Sequence, residues 1–372
     1  AIRPTSETMI GYMYAKWIQS YRDLPLLINQ WANVVRWEKR TLPFLRTSEF
    51  LWQEGHTAHE NEEDARAETM RMLEVYKEFA ENVLAMPVIA GKKTESEKFA
   101  GAVDTYSIEA MMRDGRAVQA GTSHYMGTNF AVAFDIKYLD RENKLQYVHT
   151  TSWGVSTRLI GALIMVHGDD KGLMLPPKVA PTQAVIIPIG PPARREPVVA
   201  RAAEALSELR AAGVRARMDD RTDVSPGWKF NEYEMRGVPV RIEIGPRDLE
   251  NGQAILVSRV TGEKRPGPLD SLVPEVKRML DEVHRDMYER ALAFMRENLR
   301  SVDTLDELTA DENKLRGFVL AGWCGSAACE AQVKEATGAT SRNIPFEPET
   351  VKPKCLVCGE AAAHTVAFAR AY

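Results

Sequence analysis

The sequence predicts an α+β protein that begins with an antiparallel sheet backed by helices. Helix and strand patterns do not alternate regularly in residues 1–178, whereas regular alternation is typical of a parallel α/β fold. Residues 179–268 do alternate, as β-α-β-α-β, which predicts a small separate α/β domain. All four cysteines lie after residue 320, in a third region that we delimit as 269–372 and expect to be an α/β metal-binding domain.

In the first region, apolar residues at helical spacing predict the helices, and short apolar runs predict the strands. Thr5 and Ser6 are placed to cap the first helix, and Pro43 marks the turn between the first two strands. The predicted helices cover 9–18, 59–85 and 156–165, and the predicted strands cover 26–38, 44–53, 116–120, 129–138 and 145–151.

Residues 175–178, with two adjacent prolines, form a linker to the second region. There Ser225 and Pro226 open a helix, because proline is favoured at the first helical position. The predicted strands cover 184–189, 214–218, 238–244 and 254–260, and the predicted helices cover 196–212, 225–235 and, in the third region, 270–299.

Composition excludes some classes of protein. The 372 residues are 44% hydrophobic and 27% charged, as in ordinary globular proteins. No apolar run reaches the roughly 18 residues of a membrane span, and no signal peptide is visible, so we expect a cytoplasmic protein without a membrane partner. A net charge of −4 argues against a DNA-binding protein. Since the chain lacks an initiator Met, we expect a segment to precede residue 1.

The four cysteines are arranged as two close pairs, Cys324 with Cys329 and Cys355 with Cys358. In a reducing compartment, two such pairs separated by a loop are typical of a tetrahedral zinc ion held by four thiolates. A closed shell of four thiolates leaves no position for substrate, so the expected role is structural. The alternative is four free or disulfide-bonded cysteines.

Two distant stretches provide the groups that hold a bent ATP by its phosphates and base. The first contains Arg36, Glu38, Arg46 and Phe50, and the second is Gly-Val-Ser-Thr-Arg at 154–158. Each is weak alone, because an Arg-x-Glu is usually a surface ion pair and a Gly-x-Ser-x-Arg is usually a turn. Together they offer three arginines, an aromatic face and a carboxylate.

Further polar residues lie between and before these stretches. We expect Gln119, Thr122 and His124 to lie on a strand-to-loop turn, where they could bind a ribose or phosphate. Trp52, Glu54 and His56 alternate, so they share one face of a strand. That pattern favours a pocket wall over the alternative, a catalytic metal site that includes His59.

In this order and spacing, the motifs resemble those of prolyl-tRNA synthetases, a family of class II aminoacyl-tRNA synthetases, and specifically the archaeal/eukaryotic-type branch with a C-terminal zinc domain. Residues 3–7 match the proline-binding loop, 36–54 match class II motif 2, and 154–158 match motif 3. Residues 166–178 match the passage into the anticodon-binding domain. Motif 1 would precede residue 1, and the spacing leaves no room for the editing insertion of the bacterial-type branch.

The resemblance implies ATP-dependent ligation of L-proline to tRNA(Pro) through a prolyl-adenylate, with release of AMP and pyrophosphate. It makes Arg36 and Arg158 catalytic. It implies proline binding by Thr5, Glu7, Arg36, Trp52, Glu54, His56, Phe99, His124, Ser152 and Gly154. It implies ATP binding by Arg36, Glu38, Arg46, Thr47, Phe50, Gln119, Thr122, Ser156 and Arg158. It implies anticodon contacts by Lys229, Glu234, Arg241 and Arg247.

The resemblance also implies Mg²⁺ bound with ATP, structural Zn²⁺, and a homodimer formed through the region of motif 1. It further implies that the terminal Tyr372 packs towards the catalytic domain. Three alternatives stay open: a non-catalytic synthetase-like RNA-binding paralogue, a sister synthetase for threonine, histidine or glycine, and an RNA-binding zinc protein without enzyme activity. The first is disfavoured because a scaffold needs none of Glu7, Arg36, His124 and Arg158.

Overall fold

A computed structural model describes residues 2–310 and 315–372. The chain divides into two compact units. The first unit comprises Ala1–Ala80, Pro87–Ala162 and Phe294–Tyr372, and the second comprises Glu81–Met86 and Leu163–Ala293. No helix within the described ranges is long and apolar enough to cross a membrane. The predicted three-domain boundaries at 178 and 268 stay a prediction.

An antiparallel sheet dominates the first unit, as the sequence predicted. Its opening strands are β1 (Leu26–Val35), β2 (Glu49–His59), β3 (Val88–Lys92), β4 (Asp104–Met111), β5 (Ala117–Gly127) and β8 (His149–Ser156), with β6 (Lys137–Leu139) and β7 (Leu145–Tyr147) forming a separate hairpin. The order β1-β2-β8-β5-β4-β3 is antiparallel throughout. Strands β3 and β4 were not predicted from the sequence.

Helices cover this sheet and bury their apolar sides. They are α1 (Glu7–Trp17), α2 (Glu62–Glu78), α3 (Asn129–Phe134) and α4 (Arg158–His167). The predicted helix over 59–85 is confirmed in its central part, where Leu73 and Tyr76 are buried, although Met70 on the predicted apolar side is exposed.

Several local predictions for the first unit were wrong. Residues 129–134 of the segment predicted as a strand over 129–138 form α3 instead, because Ala131 is buried and Phe134 packs directly on Gly11 of α1, and only the end of that segment belongs to a strand, β6. Strand β2 starts at Glu49 instead of residue 44, because Leu42 and Arg46 close a tight turn first. Ser6 does occupy the N-cap position of α1, but it makes no capping hydrogen bond.

The second unit is the predicted α/β arrangement. Its strands are β9 (Ala184–Pro188), β10 (Ala216–Met218), β11 (Val240–Ile244), β12 (Gln253–Ser258) and β13 (Lys264–Pro268), and its helices are α5 (Arg195–Ala211), α6 (Pro226–Met235), α7 (Pro246–Glu250) and α8 (Leu272–Glu297). The sheet order is β10-β9-β11-β12-β13. Ser225 caps α6 by accepting from the amide of Trp228, as the Ser-Pro pair indicated.

The C-terminal residues extend the first sheet. They form β14 (Leu299–Ser301), α9 (Leu305–Thr309), β15 (Phe318–Trp323), α10 (Ala327–Thr337), β16 (Thr340–Pro345) and β17 (His364–Ala369). Strand β16 pairs antiparallel with β3 through Ile344 and Pro345, so one ten-stranded sheet spans the first unit. The cysteine region is therefore structurally continuous with the first sheet.

Candidate active site

Three adjacent strands form the floor of a cavity of ≈ 240 Å³ in the first unit. Their register places His56, Ser152 and His124 in one row across β2, β8 and β5. The cavity is lined by polar residues of these strands, by aromatic residues and by two arginines: Glu7, Arg36, Phe50, Trp52, Glu54, Glu97, Phe99, Thr105, Gln119, Thr122, His124, Ser152, Gly154, Ser156 and Arg158 among others. The alternation that predicted a pocket wall on β2 is confirmed for Trp52 and Glu54.

A second cavity of ≈ 400 Å³ adjoins the first. Arg36, Phe50, Ser156 and Arg158 line both cavities, so together they form one groove. The second cavity is lined by Arg36, Glu38, Phe44, Leu45, Arg46, Thr47, Phe50, Ser156 and Arg158. The groove thus brings together the two arginine-bearing stretches that are more than 100 residues apart in the sequence.

Arg36 is fixed at the junction of the two cavities without an ion-pair partner among the described residues. Its Nε donates to the carbonyl oxygen of Pro4 at 2.9 Å. Its guanidinium lies 5.4 Å from the ring centre of Phe50 and 5.8 Å from that of Trp52. Aromatic faces and a carbonyl orient the cation without neutralising it, so the guanidinium can bind an anion.

The guanidinium groups of Arg46 and Arg158 both lie near the ring of Tyr372. The Arg158 guanidinium is 5.4 Å and the Arg46 guanidinium 5.6 Å from the Tyr372 ring centre. Arg158 Nε and the Tyr372 hydroxyl both donate to the carbonyl oxygen of Leu45, at 3.1 Å each. Arg46 also lies 3.8 Å from Glu38. The end of the chain therefore helps to hold two arginines of the groove.

Two buried carboxylates, Glu7 and Glu54, bring negative charge to the first cavity, which the half-buried Glu97 also lines. Glu7, in the first turn of α1, accepts hydrogen bonds from Thr5 and, at 3.0 Å, from Ser152. Glu54 accepts from Gln30 at 2.7 Å, from His56 at 3.0 Å and from Ser6.

These contacts determine the charge of Glu54 and the role of Ser6. Burial alone would raise the pKa of Glu54, but the hydrogen bonds from His56 and Ser6 outweigh burial and hold that pKa below its ordinary value. The same bond explains why the predicted cap fails, since the Ser6 hydroxyl donates to Glu54 instead of accepting from the helix.

His124 is a neutral ring packed under Phe99. The ring centres are 4.8 Å apart, and His124 Nδ1 lies 2.9 Å from the Thr105 hydroxyl. Burial, aided by the nearby His56, lowers the pKa of His124 to about 3. The predicted strand-to-loop turn at 119–124 is wrong, because β5 continues to Gly127 and holds these side chains in its interior.

Most of the predicted site residues line the groove, and two lie just behind it. Thr5 contacts Glu7, and His56 borders a smaller cavity of ≈ 20 Å³ together with Glu7 and Ser152. The sequence did not single out Glu97 and Thr105, which also line the groove. Thr105 pairs with His124 across β4 and β5, and because β4 was not predicted, nothing in the sequence placed Thr105 there.

The second unit has a separate cavity of ≈ 290 Å³ that includes two of the four predicted anticodon residues, Glu234 and Arg241. The Arg241 guanidinium lies 4.2 Å from the Phe230 ring centre. Lys229 is 2% exposed, and its ammonium donates to two backbone carbonyls and pairs with Asp219 at 3.3 Å, so it is not available to a ligand. Arg247, on α7, does not line this cavity.

The four cysteines converge in the first unit. Their sulfur atoms all lie within 4.8 Å of one another, and Cys324 Sγ is 3.7 Å from Cys329 Sγ and 3.8 Å from Cys358 Sγ. A tetrahedral ion with metal–sulfur bonds of about 2.3 Å would place its sulfur ligands about 3.8 Å apart. The cysteines are free thiols that could hold a metal ion. His59 instead bonds the Thr57 hydroxyl at 2.8 Å, and no second potential metal cluster occurs in residues 2–310 and 315–372.

Comparison with known proteins agrees with this architecture. A family model described as tRNA synthetase class II core domain (G, H, P, S and T) matches residues 1–167. An anticodon binding domain matches 183–279, and a prolyl-tRNA synthetase C-terminal model matches 305–372.

The curated relatives include bacterial proline–tRNA ligases. The enzyme of Symbiobacterium thermophilum is 65% identical over all of this chain and 78% of its own length. That of Natranaerobius thermophilus is 55% identical, and proline–tRNA ligase 2 of Clostridioides difficile is 54% identical, each over all of this chain and 77% of the relative. The chain therefore belongs to the prolyl-tRNA synthetase family of class II aminoacyl-tRNA synthetases.

Proposed function

We propose that this protein ligates L-proline to tRNA(Pro), using ATP and passing through a prolyl-adenylate. The observation that carries the proposal is the groove of two joined cavities, with Arg36 at their junction. One cavity holds buried carboxylates and a neutral imidazole, and the other holds arginines. An amino acid and a nucleoside triphosphate bound in the two cavities would meet at Arg36. The high identity to proline–tRNA ligases supports the same reaction.

The first step needs positioning more than proton transfer. A carboxylate is already a nucleophile at neutral pH, so it can attack the α-phosphorus of ATP without a general base. Arg36 would bind both the proline carboxylate and the α-phosphate, because a planar guanidinium has donors for both. Its lack of an ion-pair partner within the described ranges leaves those donors free. The charge of Glu7 would meet the proline ammonium.

The second cavity would hold MgATP as the substrate. Arg46 and Arg158 would bind the γ-phosphate end, with adenine stacked on Phe50. Fixed cations at the phosphates stabilise the charge that develops on the pyrophosphate leaving group. The remaining nucleotide contacts would come from Glu38, Thr47, Gln119, Thr122 and Ser156.

In the second step, the 3′-terminal ribose hydroxyl of the tRNA would attack the prolyl carbonyl, so that an ester forms and AMP leaves. Trp52, His56, Phe99 and His124 would shape the proline pocket and the adjoining site for that ribose. In the second unit, Arg241 would donate to a guanine edge of the anticodon and Glu234 would accept from it. Lys229 would not contact the anticodon, because its ammonium is buried.

We further propose that the four cysteines bind one structural Zn²⁺ and that the protein is a cytoplasmic homodimer. Trp31 and Leu27 support dimerisation, since they lie on one face of the edge strand β1 and are 84% and 53% exposed. The corresponding domains would be a catalytic domain over 1–178, an anticodon-binding domain over 179–268 and a zinc domain over 269–372.

The test is proline-dependent exchange of pyrophosphate into ATP. We expect exchange that depends on proline. The exchange rate should fall by about 100-fold or more in Arg36→Ala, because removing a donor that stabilises the transition state costs about that much. It should not change in Arg141→Ala. Arg141 is a matched control, because it is 71% exposed, pairs with Glu60 and packs 4.7 Å from the Tyr21 ring centre, and it lines neither cavity of the groove. Exchange with threonine and not proline would refute the proposal, and exchange with no amino acid would favour the non-catalytic alternative.

A further inference from the structure

His124 has one ring nitrogen engaged by the protein and one available to a ligand. Its Nδ1 lies 2.9 Å from Thr105 Oγ1, and its Nε2 has no hydrogen-bond partner among residues 2–310 and 315–372. The ring lines the first cavity, and Thr105 is only 2% exposed. Whether Nε2 offers a substrate a hydrogen-bond donor or an acceptor therefore depends on which ring nitrogen carries the proton.

The contacts of Thr105 fix the direction of this hydrogen bond. The amide N–H of Phe99 donates to Thr105 Oγ1 at 3.0 Å. In the described part of the chain, His124 Nδ1 is the other partner of that hydroxyl. If Nδ1 were protonated, the hydroxyl would accept twice and its own hydrogen would be buried without an acceptor, which is costly. In the favoured arrangement, therefore, the Phe99 N–H donates to Thr105 Oγ1, and the Thr105 O–H donates to His124 Nδ1.

We propose that Thr105 is a positioning residue that fixes His124 as its Nε2–H tautomer, so that the imidazole presents a donor to a substrate oxygen. This inference rests on the proposed function for the identity of that oxygen. A donor suits the carboxyl oxygen of proline or its adenylate, or the oxygen of the terminal ribose hydroxyl. It does not suit the proline ammonium, which the Glu7 carboxylate would bind.

Two further observations fit this role. The depressed pKa of His124 keeps the ring neutral at physiological pH, and only a neutral imidazole has a choice of tautomer. Phe99 contributes twice, because its amide orients Thr105 and its ring packs against His124. The segment that carries Phe99 thus holds the imidazole at both its face and its Nδ1.

The direct test is ¹⁵N NMR of histidine-labelled protein, with the His124 signals assigned by their loss in His124→Gln. We expect Nε2 to be protonated and Nδ1 to be the unprotonated acceptor in the wild type. Thr105→Val keeps the shape and removes the hydroxyl, and it should give a mixture of tautomers, whereas Thr105→Ser should keep the wild-type pattern. A protonated Nδ1 in the wild type, or an unchanged pattern in Thr105→Val, overturns the proposal.

Kinetics identify which oxygen is bound. If the oxygen belongs to proline, Thr105→Val should raise KM for proline about 3- to 10-fold in pyrophosphate exchange, with kcat nearly unchanged. If it belongs to the ribose, exchange should be unchanged and single-turnover transfer to tRNA should fall about 3- to 10-fold. Thr105→Ser should restore either loss. If Thr105→Val has the same rates as the wild type in both steps, the proposal is also overturned. If the wild-type protein itself shows no exchange with proline, the proposed function is refuted, and the NMR experiment still tests the tautomer of His124.

Discussion

Glu109→Gln should strongly destabilise the first unit, because Glu109 neutralises two buried cations. Its carboxylate accepts from Lys93 at 2.8 Å and, through its other oxygen, from Arg342 at 2.9 and 3.1 Å. The side chains of Lys93, Glu109 and Arg342 are 2%, 0% and 9% exposed. Burial alone would raise the pKa of Glu109, but the two cations outweigh it and hold that pKa below its ordinary value, so the carboxylate is ionised. Burial lowers the pKa of Lys93, and the charge of Glu109 opposes that shift.

The expected loss follows from burial of the unpaired charges. Glutamine keeps the shape and removes the charge, so Lys93 and Arg342 stay buried without a counter-ion. Breaking a buried ion pair by removing one partner costs about 3–5 kcal/mol. With a urea m-value of about 3 kcal/mol/M, the unfolding midpoint of the first unit should fall by about 1–1.7 M. Replacing all three residues by leucine or methionine should recover much of that loss, because no charge is then buried.

The assay is urea unfolding followed by tryptophan fluorescence. Six of the seven tryptophans lie in the first unit, so the signal reports mainly its unfolding. Glu142→Gln is the matched control, because Glu142 pairs with Lys144 at 2.7 Å but is 73% exposed. It should change stability by less than about 1 kcal/mol. A loss below 1 kcal/mol for Glu109→Gln, or one equal to that of the control, would refute the reasoning.

Three further predictions concern the site and its supports. Gly55→Ala would place a methyl group inside the Trp153 ring, so we expect a loss of about 1–3 kcal/mol in urea unfolding and a raised KM for proline. Cys355→Ser should lower bound zinc from one ion per chain towards none, as measured by atomic absorption. Arg259 holds the pKa of Asp169 at about 2 by two hydrogen bonds, so this pair stabilises above pH 4 and loses its contribution as the pH falls towards 2. Asp169→Asn should flatten that part of the pH–stability curve, and an unchanged curve would count against the assignment.

The sequence predicted well wherever a local pattern determines structure. The alternation of Trp52, Glu54 and His56 correctly put them on one face of a strand, and the Ser225-Pro226 pair correctly opened a helix. The strand and helix signals depend on period and on turn chemistry, which act within a few residues. The residues that meet in the groove were predicted differently, from the resemblance that the order and spacing of the arginine motifs carry.

Predictions from the sequence failed where long-range contacts determine the structure. Residues 129–134 have the composition of a strand but fold as a helix on Gly11, more than 100 residues away in the chain. Lys229 was expected to contact the anticodon, and only the structure shows its ammonium buried beside Asp219. Thr105 was missed because its significance comes from lying opposite His124. Tertiary contacts of this kind leave no local pattern to read.

The continuity of the sheet explains how a structural metal site could affect catalysis from outside the groove. The loop that carries Cys355 supports β15, since the amide of Leu356 donates to the carbonyl of Gly322 at 2.9 Å. Strand β15 pairs with β17, and the residues after β17 lead directly to Tyr372 beside Arg46 and Arg158. A metal bound by the cysteines would thus order the strand that holds the end of the chain in place. Its effect on the reaction would come through the position of two arginines, because a closed shell of four thiolates has no site for substrate.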